Sequence, residues 1–164
     1  MSAVVFIDTS VYLNILNVPD HNQDRPRILA EFKGMTTDCL LLPFATIFET
    51  GNHISKLPDG GMRRKFAEAM VNDVYTAEQG YRPYQPIKIL LREEFIKWLI
   101  EFPGHAMRSK SIEKTKEGGS LSDLTIKKEW EMACDNTLYR RRRVRIWSLD
   151  SDLSSCDHHS EKGR

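Results

Sequence analysis

Short, unbroken apolar runs alternate along this chain with longer stretches in which hydrophobic residues recur at helical spacing. Val4-Val5-Phe6-Ile7 is the first run, and its β-branched, continuously apolar character predicts a strand buried on both faces. It ends in Asp8-Thr9-Ser10, after which Val11, Tyr12, Ile15 and Leu16 keep to one helical face. A second helix is expected from Asp24, with Pro26 in its first turn, to Gly34. Leu40-Leu41-Leu42 reads as the second strand, followed by Pro43 and a helix carrying Ile47, Phe48 and Ile54 to the Leu57-Pro58-Asp59-Gly60-Gly61 break.

Phe66, Met70, Val71 and Val74 place another helix over Met62 to about Gln79. Tyr81 to Pro86 reads as a connector, and Ile87, Ile89, Leu90 and Leu91 as a third strand. A helix with Phe95, Trp98, Leu99 and Phe102 is expected to close at Pro103 and Gly104, before one long polar loop from His105 to Ser120. Leu121 to about Leu138 reads as helix, and Val144, Ile146, Trp147 and Leu149 as the last strand. Residues 154–164 read as a frayed tail, which leaves one domain over residues 1–153. Strands alternating with helices predict an α/β fold, three layers deep, around a mostly parallel sheet of four or five strands.

With 164 residues, 40% hydrophobic and 29% charged, the chain is suited to a single globular domain rather than a disordered acidic one. No apolar run approaches the roughly 20 residues that span a bilayer, and the N-terminus lacks a basic leader, so neither a membrane span nor a signal peptide is expected. Cys39, Cys134 and Cys156 lack paired spacing and fit a reducing, cytoplasmic setting. A net charge of +1 argues against a protein that coats nucleic acid, although Arg140, Arg141, Arg142, Arg143 and Arg145 cluster.

Candidate chemistry lies in the acids. Sites in open α/β sheets form beyond the carboxyl ends of the strands. Asp8 follows the first strand and Asp150 the last; Glu49 lies in the helix after the second, and Asp123 near the start of the helix after the long loop. Each has a plain alternative. Asp8 suits a helix N-cap, Asp123 a first-turn position favoured by the dipole, and Asp150 or Asp152 a turn. Glu49 is harder to explain that way, because Phe44-Ala45-Thr46-Ile47-Phe48 around it is mostly apolar and buried acids are rare unless paired. Carboxylates gathered together repel unless a cation neutralises them, and Mg²⁺ or Mn²⁺ is the natural oxygen-ligated partner.

In the order and spacing of these segments the chain resembles the PIN-domain ribonucleases, including the toxins of bacterial toxin–antitoxin pairs. The likeness is carried by Phe6-Ile7-Asp8-Thr9-Ser10, Ile47-Phe48-Glu49, Leu121-Ser122-Asp123-Leu124-Thr125-Ile126, Ala133, and Trp147-Ser148-Leu149-Asp150-Ser151-Asp152-Leu153. It implies a four-acid catalytic pocket of Asp8, Glu49, Asp123 and Asp150, with Asp152 as a further metal ligand and Thr9 and Ser10 in support. It also implies metal-dependent endoribonuclease chemistry with Mg²⁺ or Mn²⁺, an RNA substrate, an antitoxin partner and a homodimer. The chain departs from the family's pattern at Ser148, where Thr is usual, at Leu153, where Phe is usual, and at Lys127 or Lys128, where many members carry another acid.

Among the basic residues, Arg108, Lys110, Lys114 and Lys116 lead into the Asp123 helix and are expected to meet substrate phosphates. The Arg140–Arg145 run precedes the last strand, at the edge away from the acids. His53, four residues after Glu49, shares its helix face, whereas His158 and His159 fall in the expected tail. Trp98, Trp130 and Trp147 read as core or dimer-interface bulk. Two other functions compete with the nuclease. An aspartyl-nucleophile phosphatase would want a second Asp where Ser10 stands. The other is a catalytically inactive PIN-like module that binds RNA or protein.

Overall fold

The computed structural model describes residues 2–87, 92–107 and 118–159. The elements follow in the order β1 (Val4–Ile7), α1 (Thr9–Ile15), α2 (Arg25–Gly34), β2 (Cys39–Leu42), α3 (Phe44–Ser55), α4 (Gly60–Glu78), β3 (Tyr84–Pro86), α5 (Arg92–Met107), α6 (Leu121–Asp135), β4 (Arg143–Trp147), α7 (Ser151–Ser154) and β5 (Asp157–His159). The strands form a single mixed sheet ordered β3-β2-β1-β4-β5, parallel throughout except for β5.

Alternation along β1 divides the core. Val5 and Ile7 pack with Tyr12, Ile28, Leu40, Leu42 and Ala77 on one face of the sheet. Val4 and Phe6 pack with Ile126, Ala133, Val144, Ile146 and Leu153 on the other. Successive strand residues point to opposite faces, so a four-residue strand apolar at every position demands helices on both sides. The expected three-layer α/β/α architecture is what forms.

The chain runs from β1 outward through β2 to β3, then returns to place β4 on the opposite side of β1. Strand order therefore reverses between β1 and β4, which opens a crevice at their carboxyl ends. Two hydrogen bonds seal its floor. The Asp8 backbone N–H donates to the Trp147 carbonyl at 3.1 Å, and Thr46 Oγ1 donates to the Ile7 carbonyl at 2.9 Å, docking α3 on the end of β1.

Several boundaries differ from the sequence reading. The third strand lies at Tyr84–Pro86, within the expected connector, because Tyr84 packs its ring beside Tyr12 and Phe32 and carries its hydroxyl to Asp73. Of the strand expected there, Ile89, Leu90 and Leu91 lie outside the described residues. Helix α5 continues through Pro103 to Met107 rather than closing at Gly104. Helix α6 ends at Asp135, and Thr137–Tyr139 forms a 3₁₀ turn capped by Asn136. The tail is not frayed throughout. Residues 157–159 pair antiparallel with β4, and Cys156, His158 and His159 belong to this edge. There the Arg143 guanidinium grips the Asp157 carboxylate, and the Cys156 carbonyl accepts from Ile146 N–H. No described helix is long and apolar enough to cross a membrane.

Candidate functional site

Asp8, Glu49, Asp123 and Asp150, from four distant segments, line one cleft of about 290 Å³ at the carboxyl ends of β1 and β4. Thr9, Ser10, Leu13, His21, His53, Leu149 and Leu153 complete its wall. Asp8 is 4% exposed and serves as the N-cap of α1. Its Oδ2 accepts from Ser10 N–H at 3.3 Å, from Ser10 Oγ at 2.7 Å and from Ser148 Oγ at 2.7 Å. Burial raises the Asp8 pKa above the ordinary carboxylate value, and the Ser148 and Ser10 hydrogen bonds offset this only in part. Capping and site formation thus coincide in one residue. Asp8 ends a strand, begins a helix and lies at the crevice.

Each of the other acids is also oriented by a donor close to it. Glu49 Oε2 accepts from Thr9 Oγ1 at 2.9 Å. Asp123 is 4% exposed and closes a capping box at the start of α6. Its Oδ2 accepts from Ser120 N–H at 3.3 Å while its own N–H donates to Ser120 Oγ at 3.0 Å. Asp150 is the N-cap of α7, with Oδ1 accepting from Asp152 N–H at 2.9 Å. Ser148 links two of these residues, because its Oγ donates to Asp8 while accepting from Asp150 N–H at 2.9 Å. Thr9 and Ser10 therefore do support the carboxylates, and Ser148 joins them.

Asp152 is placed differently. Its Oδ2 meets Lys127 Nζ at 2.7 Å, and it is not among the described residues lining the cleft. Lys127 thereby neutralises Asp152, the further ligand that the sequence resemblance implied. Arg108, Lys110, Lys114 and Lys116 lie outside the described residues. The arginine run sits at the amino end of β4, away from the cleft. Arg142 donates to the Ser2 and Ala3 carbonyls, and Arg143 pairs with Asp157.

No protein-family model, curated protein or solved structure matches the chain. What the site can do therefore rests on its own chemistry. Its donors are carboxylates and hydroxyls, a hard oxygen set that suits Mg²⁺ or Mn²⁺ better than a thiophilic metal. As they stand, no three His, Cys, Asp or Glu side chains among the described residues are close enough together to hold an ion.

Two polar cleft residues carry no part of the sequence motifs. His53 lies one turn beyond Glu49 on α3, as its spacing suggested. It touches His21, in the turn between α1 and α2, with ring centroids 4.6 Å apart. Nothing local marks His21. Helix α1 is only seven residues long, so the turn that follows it stays within reach of the cleft. The tryptophans serve the core. Trp98 and Trp147 are buried, and Trp130 and Trp147 place their indole N–H groups on the Val144 carbonyl and on Glu31 Oε2.

Proposed function

We propose that the protein is a metal-dependent endoribonuclease of the PIN-domain type. The observation that carries the reading is the convergence of Asp8, Glu49, Asp123 and Asp150 on one cleft at the point where strand order reverses. A bare cluster of carboxylates would repel a phosphodiester, so the arrangement makes chemical sense with a cation between acids and substrate. Asp8, Glu49, Asp123 and Asp150 would hold Mg²⁺ or Mn²⁺. Drawing them around an ion asks the carboxylates to close in from where they stand. When bound, such an ion polarises a phosphoryl oxygen and lowers the pKa of a coordinated water.

The remaining work falls to the chain itself. Ser10 and Ser148 fix one oxygen of Asp8, and Thr9 fixes one oxygen of Glu49. That removes rotamer freedom which an incoming cation would otherwise have to restrict. Leu13, Leu149 and Leu153 give the cleft an apolar margin that limits water around the charges. The basic residues Arg108, Lys110, Lys114 and Lys116 would steady the substrate's phosphates. The same resemblance suggests a toxin role with an inhibitory antitoxin, a homodimeric form and a cytoplasmic setting.

The test is cleavage of single-stranded RNA by purified protein with Mg²⁺ or Mn²⁺, stopped by a chelator and abolished in Asp8→Ala. Neutralising Arg108, Lys110, Lys114 and Lys116 should weaken RNA binding and reduce its salt slope, since each phosphate contact contributes to that slope. Neutralising Arg140 and Arg141 should leave the slope near the wild-type value. Full activity in Asp8→Ala would exclude this cleft as the source of cleavage. RNA binding without cleavage of any RNA, with metal bound, would favour the inactive binding module.

A further inference from the structure

The two histidines are the cleft's residues that the acid chemistry does not use. His21 and His53 come from different segments, both line the cleft, and their rings meet at 70°. Among the described residues, neither imidazole has a hydrogen-bonding partner. The groups around them are Glu49 one turn earlier on α3, Lys56 at its end, and Asp8, Asp123 and Asp150 in the cleft wall. Partial burial, His21 and Lys56 together hold the His53 pKa below the ordinary imidazole value. Two half-buried rings in contact at the cleft wall, each with an N–H donor, fit an anion that accepts from both.

We propose that His21 and His53 together form a phosphate subsite of the cleft, donating hydrogen bonds to the backbone phosphate adjacent to the one at the carboxylates. The ligand class, a single-stranded polynucleotide, rests on the nuclease reading above. A strand with one phosphate at an acid cluster needs donors for its neighbour, and phosphate contacts of this kind set register without reading sequence. His53 lies one helical turn along α3 from Glu49, so that donor and that acid share one rigid support.

Two measurements on the full chain test this. The imidazole C–H and ring-nitrogen NMR signals are followed in wild type during titration with inorganic phosphate and with a short single-stranded oligoribonucleotide, in Ca²⁺ in place of Mg²⁺ so that the carboxylates are neutralised. Equilibrium binding and single-turnover cleavage of the same oligonucleotide are then compared for wild type, His21→Gln, His53→Gln and the double variant. The expected result is that both histidines shift together with either probe. Each single variant weakens binding by about tenfold, the worth of one charge-assisted hydrogen bond, the double variant costs less than the product, and cleavage at saturating RNA stays within a few-fold. Wild-type cleavage with histidine variants that bind as wild type would overturn the subsite and leave the nuclease reading standing. Joint histidine shifts with phosphate in a protein that cleaves no RNA would support the subsite while the nuclease reading fails. No response of either histidine to phosphate or to the oligonucleotide would overturn the subsite.

Discussion

Thr9 Oγ1 donates to Glu49 Oε2 at 2.9 Å, joining the first residue of α1 to the middle of α3 across forty positions of sequence. The bond fixes the spacing between the two helices that carry Asp8 and Glu49 into the cleft. Thr46 Oγ1, one turn earlier on α3, makes the companion bond to the Ile7 carbonyl. Glu49 is thereby held over the end of β1 by two hydroxyls, one on its own helix and one on the facing one.

Asp8→Asn separates capping from charge. Asn caps helices as well as Asp does and keeps an acceptor for Ser10 and Ser148, while the buried charge disappears. Burial raises the Asp8 pKa, so the wild-type apo protein loses stability as pH rises through that raised value. In chelator at neutral pH, Asp8→Asn should melt at the wild-type temperature or above it, and the Mg²⁺-induced rise in melting temperature should vanish. A sharply lower melting temperature with an intact Mg²⁺ response would make Asp8 a structural cap alone.

Asp123 and Ser120 share a capping box, yet only Asp123 lines the cleft. Ser120→Ala should cost about 1 kcal/mol, the usual worth of an N-cap, with cleavage within a few-fold of wild type. Asp123→Ala should lose a comparable amount of stability and all detectable cleavage. Chemical denaturation and single-turnover cleavage on both variants check this; equal cleavage by Asp123→Ala and Ser120→Ala would remove Asp123 from the chemistry.

Asp150 and Asp152 are two residues apart, but Lys127 Nζ holds Asp152 at 2.7 Å. Asp150→Asn retains a good cap for α7 and should abolish cleavage and metal binding. Asp152→Asn should change the cleavage rate by no more than a few-fold. Calorimetric Mg²⁺ titration of the two variants gives the comparison, and a loss of binding in Asp152→Asn would show that Lys127 releases its partner to the metal.

Glu129 sits buried in the α6 face that packs on the sheet, and its carboxylate oxygens have no well-formed hydrogen bond among the described residues. Burial pushes its pKa up to about 8, offset only slightly by the Phe44 backbone N–H. Between the ordinary glutamate pKa and about 8 the folded protein holds a proton that the unfolded chain gives up. Stability from this group is therefore complete at acid pH and lost as pH rises to about 8. Glu129→Gln should flatten that fall and, at pH above 8, exceed wild type by roughly 2 kcal/mol. Denaturant melts across pH 5 to 9 would show it; parallel curves for the two proteins would refute a buried, neutral Glu129.

Local pattern was enough for β1, β2, β4 and the helices between them, because a strand buried on both faces is apolar at every position and a helix keeps a 3.6-residue stripe. It failed at β3, where Tyr84-Gln85-Pro86 has neither signature. That strand exists because β2 offers it an open edge and because the Tyr84 hydroxyl reaches Asp73 at 2.6 Å. It failed again at β5, whose residues Asp157, His158 and His159 are all exposed and held by backbone pairing and by Arg143. Edge strands with few apolar contacts carry little hydrophobic periodicity to read.

For the site, the sequence alone marked Asp8, Glu49, Asp123 and Asp150, because each stands at a strand end or in a helix that follows a strand or the long loop. Only the tertiary structure decided that β4 lies beside β1, which brings Asp150 to Asp8 and opens the crevice between them. It also decided that Lys127 takes Asp152 and that His21 meets His53. Such pairings depend on where whole elements pack, and a residue's own stretch of chain carries no trace of the partner that packing will bring to it.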